Sequence, residues 1–70
     1  MAVYELYPGE SEQHTHNVRT KTELLEGSAS ITIAGRTIAL LKGKPVPVPA
    51  NTQHQVTNTG DTIANCNCNC

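Results

Sequence analysis

The stretch Gln13-His14-Thr15-His16 holds the residues best able to do chemistry. Two imidazoles at i and i+2 point the same way on a β-strand, where side chains alternate faces. On a helix they would diverge by roughly 200° and could not share a ligand. The one other histidine, His54, could arrive from a distant strand and complete a three-nitrogen site. Three neutral imidazoles suit zinc, copper, nickel or iron, and they leave coordination positions open for water or substrate. Such an ion acts as a Lewis acid or, if redox-active, handles dioxygen. The alternative is a pair of histidines on a solvated strand face. Glu10 and Glu12 precede the pair in what reads as an entry loop, and are expected to be solvated. Gln13, Gln53 and Gln55 flank the histidines and should face outward. Tyr4 and Tyr7 differ by an odd offset, so they occupy opposite faces.

The elements that must position these residues read as short strands. Residues 3–7 form a first strand, stopped by the turn pair Pro8-Gly9. Residues 20–26 form another, closed by Gly27. In residues 28–41, Ala29, Ile31 and Ile33 alternate with polar positions, and Ile38 and Leu40 follow the glycine-bearing Ala34-Gly35. That pattern predicts a β-hairpin. Prolines at 45, 47 and 49 remove every amide donor along one side of an extended segment, so it must be an edge strand or unpaired. Residues 53–58 carry His54, and a last strand follows Thr59-Gly60-Asp61. No helical stripe and no repeat is present. The expected class is all-β, a sandwich or barrel.

Length and composition narrow the possibilities. Seventy residues make one domain with a thin core: no Phe, no Trp, and Tyr only at 4 and 7. Burying one Leu or Ile contributes about 1.5–3 kcal/mol, against about 1–2 kcal/mol per residue for ordering the backbone. Help from a metal, a partner subunit or both is therefore expected. Five basic and six acidic residues give a formal net charge of −1, and without a basic stripe or aromatic platform nucleic acid is not an expected partner. The opening residues have no basic or apolar signal regions and no stretch matches a membrane span. The expectation is a cytoplasmic protein with no membrane partner.

Two stretches resemble the cupin family. The first runs from Gly9 through His14-Thr15-His16 to Gly27, and the second comprises Gly43, Pro49, His54 and Asn58, with fifteen residues (28–42) between them. The resemblance, over roughly residues 9 to 65, implies a small double-stranded β-helix or jelly-roll barrel, within what the chain's length makes a single domain over residues 1–70. It also implies a divalent transition metal (zinc, iron, manganese, nickel or copper) on His14, His16 and His54. The implied activity is either that of a metal-dependent oxygenase or isomerase acting on a small molecule, or that of a non-catalytic metal- or ligand-binding module. A purely structural barrel is the third reading. The chain departs from the family pattern in four ways. Thr20 stands where the family has a metal-binding carboxylate, and Glu23 has the wrong parity to replace it. One residue is missing between Gly9 and His14. Asn51 replaces a glycine, which Asn tolerates because it accepts the left-handed conformation. The chain is also short at both ends for a cupin, and the sheet edges this leaves suggest a homodimer.

The closing Asn65-Cys66-Asn67-Cys68-Asn69-Cys70 is the least family-like stretch. Its cysteines share one face and its asparagines the other. The cysteines read as small hydrophobes lining the interior, as a soft-metal or redox-active thiol cluster, or as a frayed tail. On the first reading Cys66 and Cys68 are buried, Cys70 is accessible, and Asn65 and Asn67 are hydrated outside.

Overall fold

The computed structural model describes residues 2–69. Eight strands follow one another: β1 (Ala2–Leu6), β2 (Ser11–His14), β3 (Thr20–Glu26), β4 (Ala29–Ile33), β5 (Arg36–Leu40), β6 (Val46–Val48), β7 (His54–Asn58) and β8 (Ala64–Asn69). They form two four-stranded antiparallel sheets, ordered β1-β8-β3-β6 and β2-β7-β4-β5. Residues from both sheets share one core: Leu6, Leu24, Val48, Ala64 and Cys66 from the first, Ala29, Ile31, Leu40 and Val56 from the second. The all-β class is as expected. The barrel is not: among the described residues no ladder joins the two sheets, and each keeps two edge strands.

Proline explains one of those edges. β6 pairs only with β3, setting Val46 and Val48 opposite Thr22 and Thr20. In antiparallel pairing, alternate residues exchange both hydrogen bonds with the partner. Val46 and Val48 fill that role, which turns the donor-less sides of Pro45, Pro47 and Pro49 to the free edge. That edge cannot extend the ladder toward β5.

The chain passes between the sheets at every connection except the β4–β5 hairpin. That hairpin closes through Ala34-Gly35, with φ of 49° and 80°. Positive φ at both central residues is the type I′ geometry that suits the strand twist. At the β3-to-β4 crossing, Gly27 has φ 87°, and an added Cβ would lie 2.8 Å from the Ile63 carbonyl oxygen. Only glycine fits there.

The β7-to-β8 crossing is fastened by Asn58. This buried amide donates through Nδ2 to the Leu6 carbonyl (2.9 Å) and the Thr62 carbonyl (2.7 Å), while Oδ1 accepts from the Gly60 N–H (2.8 Å). One side chain thus ties the end of β1 to the turn before β8. Asn67 departs from expectation. It has the outward parity but is buried, flanked across the ladder by Val3 and Glu23 on the central strand β8.

Two stability outcomes follow. Asn58→Ala removes three hydrogen bonds, the one to the Leu6 carbonyl buried and the other two part-buried, and should cost on the order of 3 kcal/mol, lowering the midpoint of a thermal melt by more than about 10 °C for a domain this small. Ala34→Asn places a residue tolerant of positive φ in the hairpin turn and should stabilise by about 0.5–1 kcal/mol. An unchanged melt for either variant would contradict these assignments.

Candidate metal centre

The short strand β2 is positioned entirely by β7. Their register sets His14 directly opposite His54, Gln13 opposite Gln55 and Glu12 opposite Val56. Parity turns His54, Val56 and Asn58 inward, and all three are buried. Gln13 and Gln55 take the opposite face, as expected. The strand ends at His14, so the expected strand geometry does not extend to His16. His16 is instead fixed through its backbone: the Asn51 N–H donates to the His16 carbonyl at 2.7 Å. Asn51 sits at φ 57°, the left-handed conformation anticipated from its place in the second motif. The connection before β7 therefore holds the segment after β2.

The three imidazoles gather into a nearly equilateral triangle. Ring centroids are 5.6 Å apart for His14–His16, 5.6 Å for His14–His54 and 5.5 Å for His16–His54. Three rings each placing one nitrogen about 2.0–2.1 Å from a shared ion would have centroids roughly 5–5.7 Å apart. The triangle therefore has the dimensions of a three-histidine site. Its nitrogens do not yet converge: the His14 and His16 planes are only 13° apart, and no group of three coordinating side chains is formed among the described residues. Convergence needs ring rotation about the Cβ–Cγ bond, a torsion with broad preferences. Burial, reinforced by the neighbouring His14 and His16, pushes the His54 pKa below its usual value. His54 is thereby kept neutral, the form that donates an electron pair to a metal.

The groups around the triangle differ from expectation in several respects. Glu12 does not lie in a solvated loop. It belongs to β2, two residues before His14 and on the same face, and its Oε2 is 3.7 Å from His14 Nε2. Both atoms are buried and have no hydrogen-bond partner among the described residues. Extending the strand reading two residues toward the N-terminus would have revealed Glu12 by parity alone. Glu10, in contrast, is exposed and accepts from the Tyr7 N–H at 2.7 Å. Thr20 is buried on β3, and Glu23 has the outward parity, opposite Asn67. The one ladder irregularity, between Leu24 and Glu26, lies beyond Glu23 and does not turn it inward.

The other sheet contributes Tyr4, Cys66 and Cys68. The Tyr4 ring lies 5.7 Å from that of His14, and its hydroxyl hydrogen-bonds its cross-strand neighbour Cys66. Burial raises the pKa of both Tyr4 and Cys66, keeping them protonated. Tyr7, just past the end of β1, is exposed. Cys66 is fully buried, as expected of a wall residue. Cys68 is only half-buried, and its Sγ approaches His16 Nε2 at 3.6 Å. Cys70 lies outside the described residues. No feature of the sequence linked Cys68 to His16, because the contact spans the two sheets.

The fold has close parallels among solved structures. A predicted oxalate decarboxylase from Thermotoga maritima superposes with a TM-score of 0.80 at 22% identity, covering 94% of this chain and 59% of its own. This chain thus spans less than two thirds of that protein. The Cupin_2 domain of an XRE family transcriptional regulator from Enterobacter cloacae gives 0.85 at 17% identity, covering 94% and 73%. A de novo designed double-stranded β-helix gives 0.83 at 18% identity, covering 97% and 94%. No curated protein sequence matches the chain. The family model described as the cupin domain matches residues 2–68, nearly the whole chain. With the two sheets and the ordered motifs around His14, His16 and His54, this establishes that the chain belongs to the cupin family.

Proposed function

We propose that this cupin domain binds one divalent transition metal through His14, His16 and His54. The triangle of imidazole rings, 5.5–5.6 Å on each side, carries the reading. Zinc, iron, manganese, nickel and copper all accept imidazole, and a three-nitrogen site leaves room for water or a small molecule. Thr20, a neutral hydroxyl, stays outside the coordination sphere. A bound ion supplies Lewis-acid chemistry, or dioxygen chemistry if it is redox-active.

A second reading, a metal-dependent enzyme acting on a small molecule, is favoured by Glu12. A carboxylate 3.7 Å from His14 Nε2 lies beside the residues that would hold the ion, where it could accept or return a proton. The Thermotoga neighbour is named as a predicted oxalate decarboxylase, an activity on a small molecule. In the non-catalytic reading the same site senses or stores a metal or small ligand.

The protein is further proposed to be a homodimer. β1 leaves one edge of its sheet unpaired, and Val3, Tyr7, Leu25 and Ile63 are exposed apolar side chains of that sheet or its flanking turns. Pairing across the β1 edge would cover that edge and the Val3 side chain on it, whereas the proline edge at β6 cannot donate. No described helix is long and apolar enough to cross a membrane. We assign the protein to the cytoplasm, where the Cys66 thiol remains reduced.

Elemental analysis of the untagged protein should find about one transition-metal ion per chain. His14→Ala, His16→Ala or His54→Ala should each remove most of the affinity, because two-nitrogen sites are weak. A metal-free protein whose metal titration is unaltered by His14→Ala would overturn the assignment. Light scattering at micromolar concentration should give twice the chain mass, and a cooperatively folded monomer would rule out the dimer.

A further inference from the structure

We infer that Cys68 is a sulfur ligand to the same metal, so that the centre is a mixed imidazole–thiolate site spanning both sheets. This rests on the three-histidine reading above and deepens it. The imidazoles come from β7, from β2 and from the segment after β2. The family's fourth ligand would come from β3 in the opposite sheet, where this chain has Thr20. Among the described residues of that opposite sheet, Cys68 of β8 is the one whose side chain is hydrogen-bonded to an imidazole nitrogen.

Sulfur comes near enough to an imidazole nitrogen to share an ion with it once the rings turn. A metal about 2.3 Å from sulfur and about 2.0–2.1 Å from nitrogen, with a tetrahedral angle between them, puts the two donor atoms roughly 3.5–3.6 Å apart. Cys68 Sγ and His16 Nε2 are 3.6 Å apart. The surroundings also suit a thiolate. Thr22, directly opposite Cys68 in the ladder, is buried on the inward face of β3, as is Thr20. Their hydroxyls make this end of the interior polar. On binding, the sulfur–metal bond forms as the thiol proton leaves to solvent. The soft donor shifts preference toward zinc, cobalt or copper and away from manganese.

Cobalt(II) titration of the full chain, kept reduced with a phosphine, reads the sulfur directly. The unaltered protein should show visible ligand-field bands together with a near-ultraviolet sulfur-to-cobalt charge-transfer band. Cys66→Ser and Cys70→Ser should keep that band. Cys68→Ser should lose it while retaining the ligand-field bands of cobalt on imidazole. Ligand-field bands without charge transfer in the unaltered chain, or charge transfer surviving in Cys68→Ser, would overturn the inference and leave the histidine site standing. Absence of any cobalt spectrum would remove both.

Discussion

The register between β2 and β7 is the constraint on which the site depends. β2 has four residues and a single partner strand, yet it must deliver Glu12 and His14 to the interior. A slip of one residue would turn both outward and bring Gln13 inward. The register is secured at the end remote from the histidines. The Asn58 N–H donates to the Glu10 carbonyl at 3.0 Å, and the Ser11 and Thr57 hydroxyls meet at 2.9 Å. Asn58 is in turn fixed by its own side chain, which holds Leu6, Gly60 and Thr62. A family-motif residue that coordinates nothing therefore acts on the site by fixing the strand that carries His14.

The interior changes character along the strands. On β7 the inward residues run from Asn58 through Val56 to His54, and on β3 from Leu24 through Thr22 to Thr20. On β8 they run from Ala64 through Cys66 to Cys68. One end of the sandwich is hydrocarbon, with Leu6, Leu24, Ala29, Leu40 and Ala64, and the other sets imidazole, hydroxyl and thiol beside Val48 and Ile33. The apolar end supplies the burial that holds the sheets together, at about 25 cal/mol per Å². The polar end exchanges part of that gain for donor atoms held in a poorly solvated place. In so small a chain the two demands compete for the same few inward positions.

Local chemistry made much of this legible in the sequence. The Ala34-Gly35 turn, the proline edge and the left-handed tolerance of Asn51 each follow from the conformational limits of single residues, and the structure shows all three. Ladder parity placed Gln13 and Gln55 outside and kept Glu23 from the interior. What escaped the sequence depends on how strands meet in space. The start of β2, and with it the role of Glu12, is set by pairing with β7 more than forty residues away. Asn67 is covered because β8 is a central strand, and parity alone says nothing of what lies above a face. The unclosed barrel follows from which edges are left to face each other.

The same reasoning explains why the polar end is the part of this fold most responsive to an occupant. A buried polar group without a partner costs about 1–3 kcal/mol, and Glu12, His14, Thr20 and Thr22 each bring a buried polar atom that no described protein group satisfies. The ladders cannot relieve this by local rearrangement, because those residues also carry the register of β2 and β3. A group bound among them would relieve it. A ligand that binds only the folded chain stabilises it by about 2.7 kcal/mol at a hundred times its dissociation constant. That is a large fraction of the 5–15 kcal/mol typical of folded proteins. A centre contacting β2, β7 and the segment after β2 would bind one sheet and its neighbouring loop. One that also engages β8 would join the two sheets at the end where apolar contacts are fewest. Such a crosslink would supply the cohesion that the thin hydrocarbon core and the unclosed edges leave wanting.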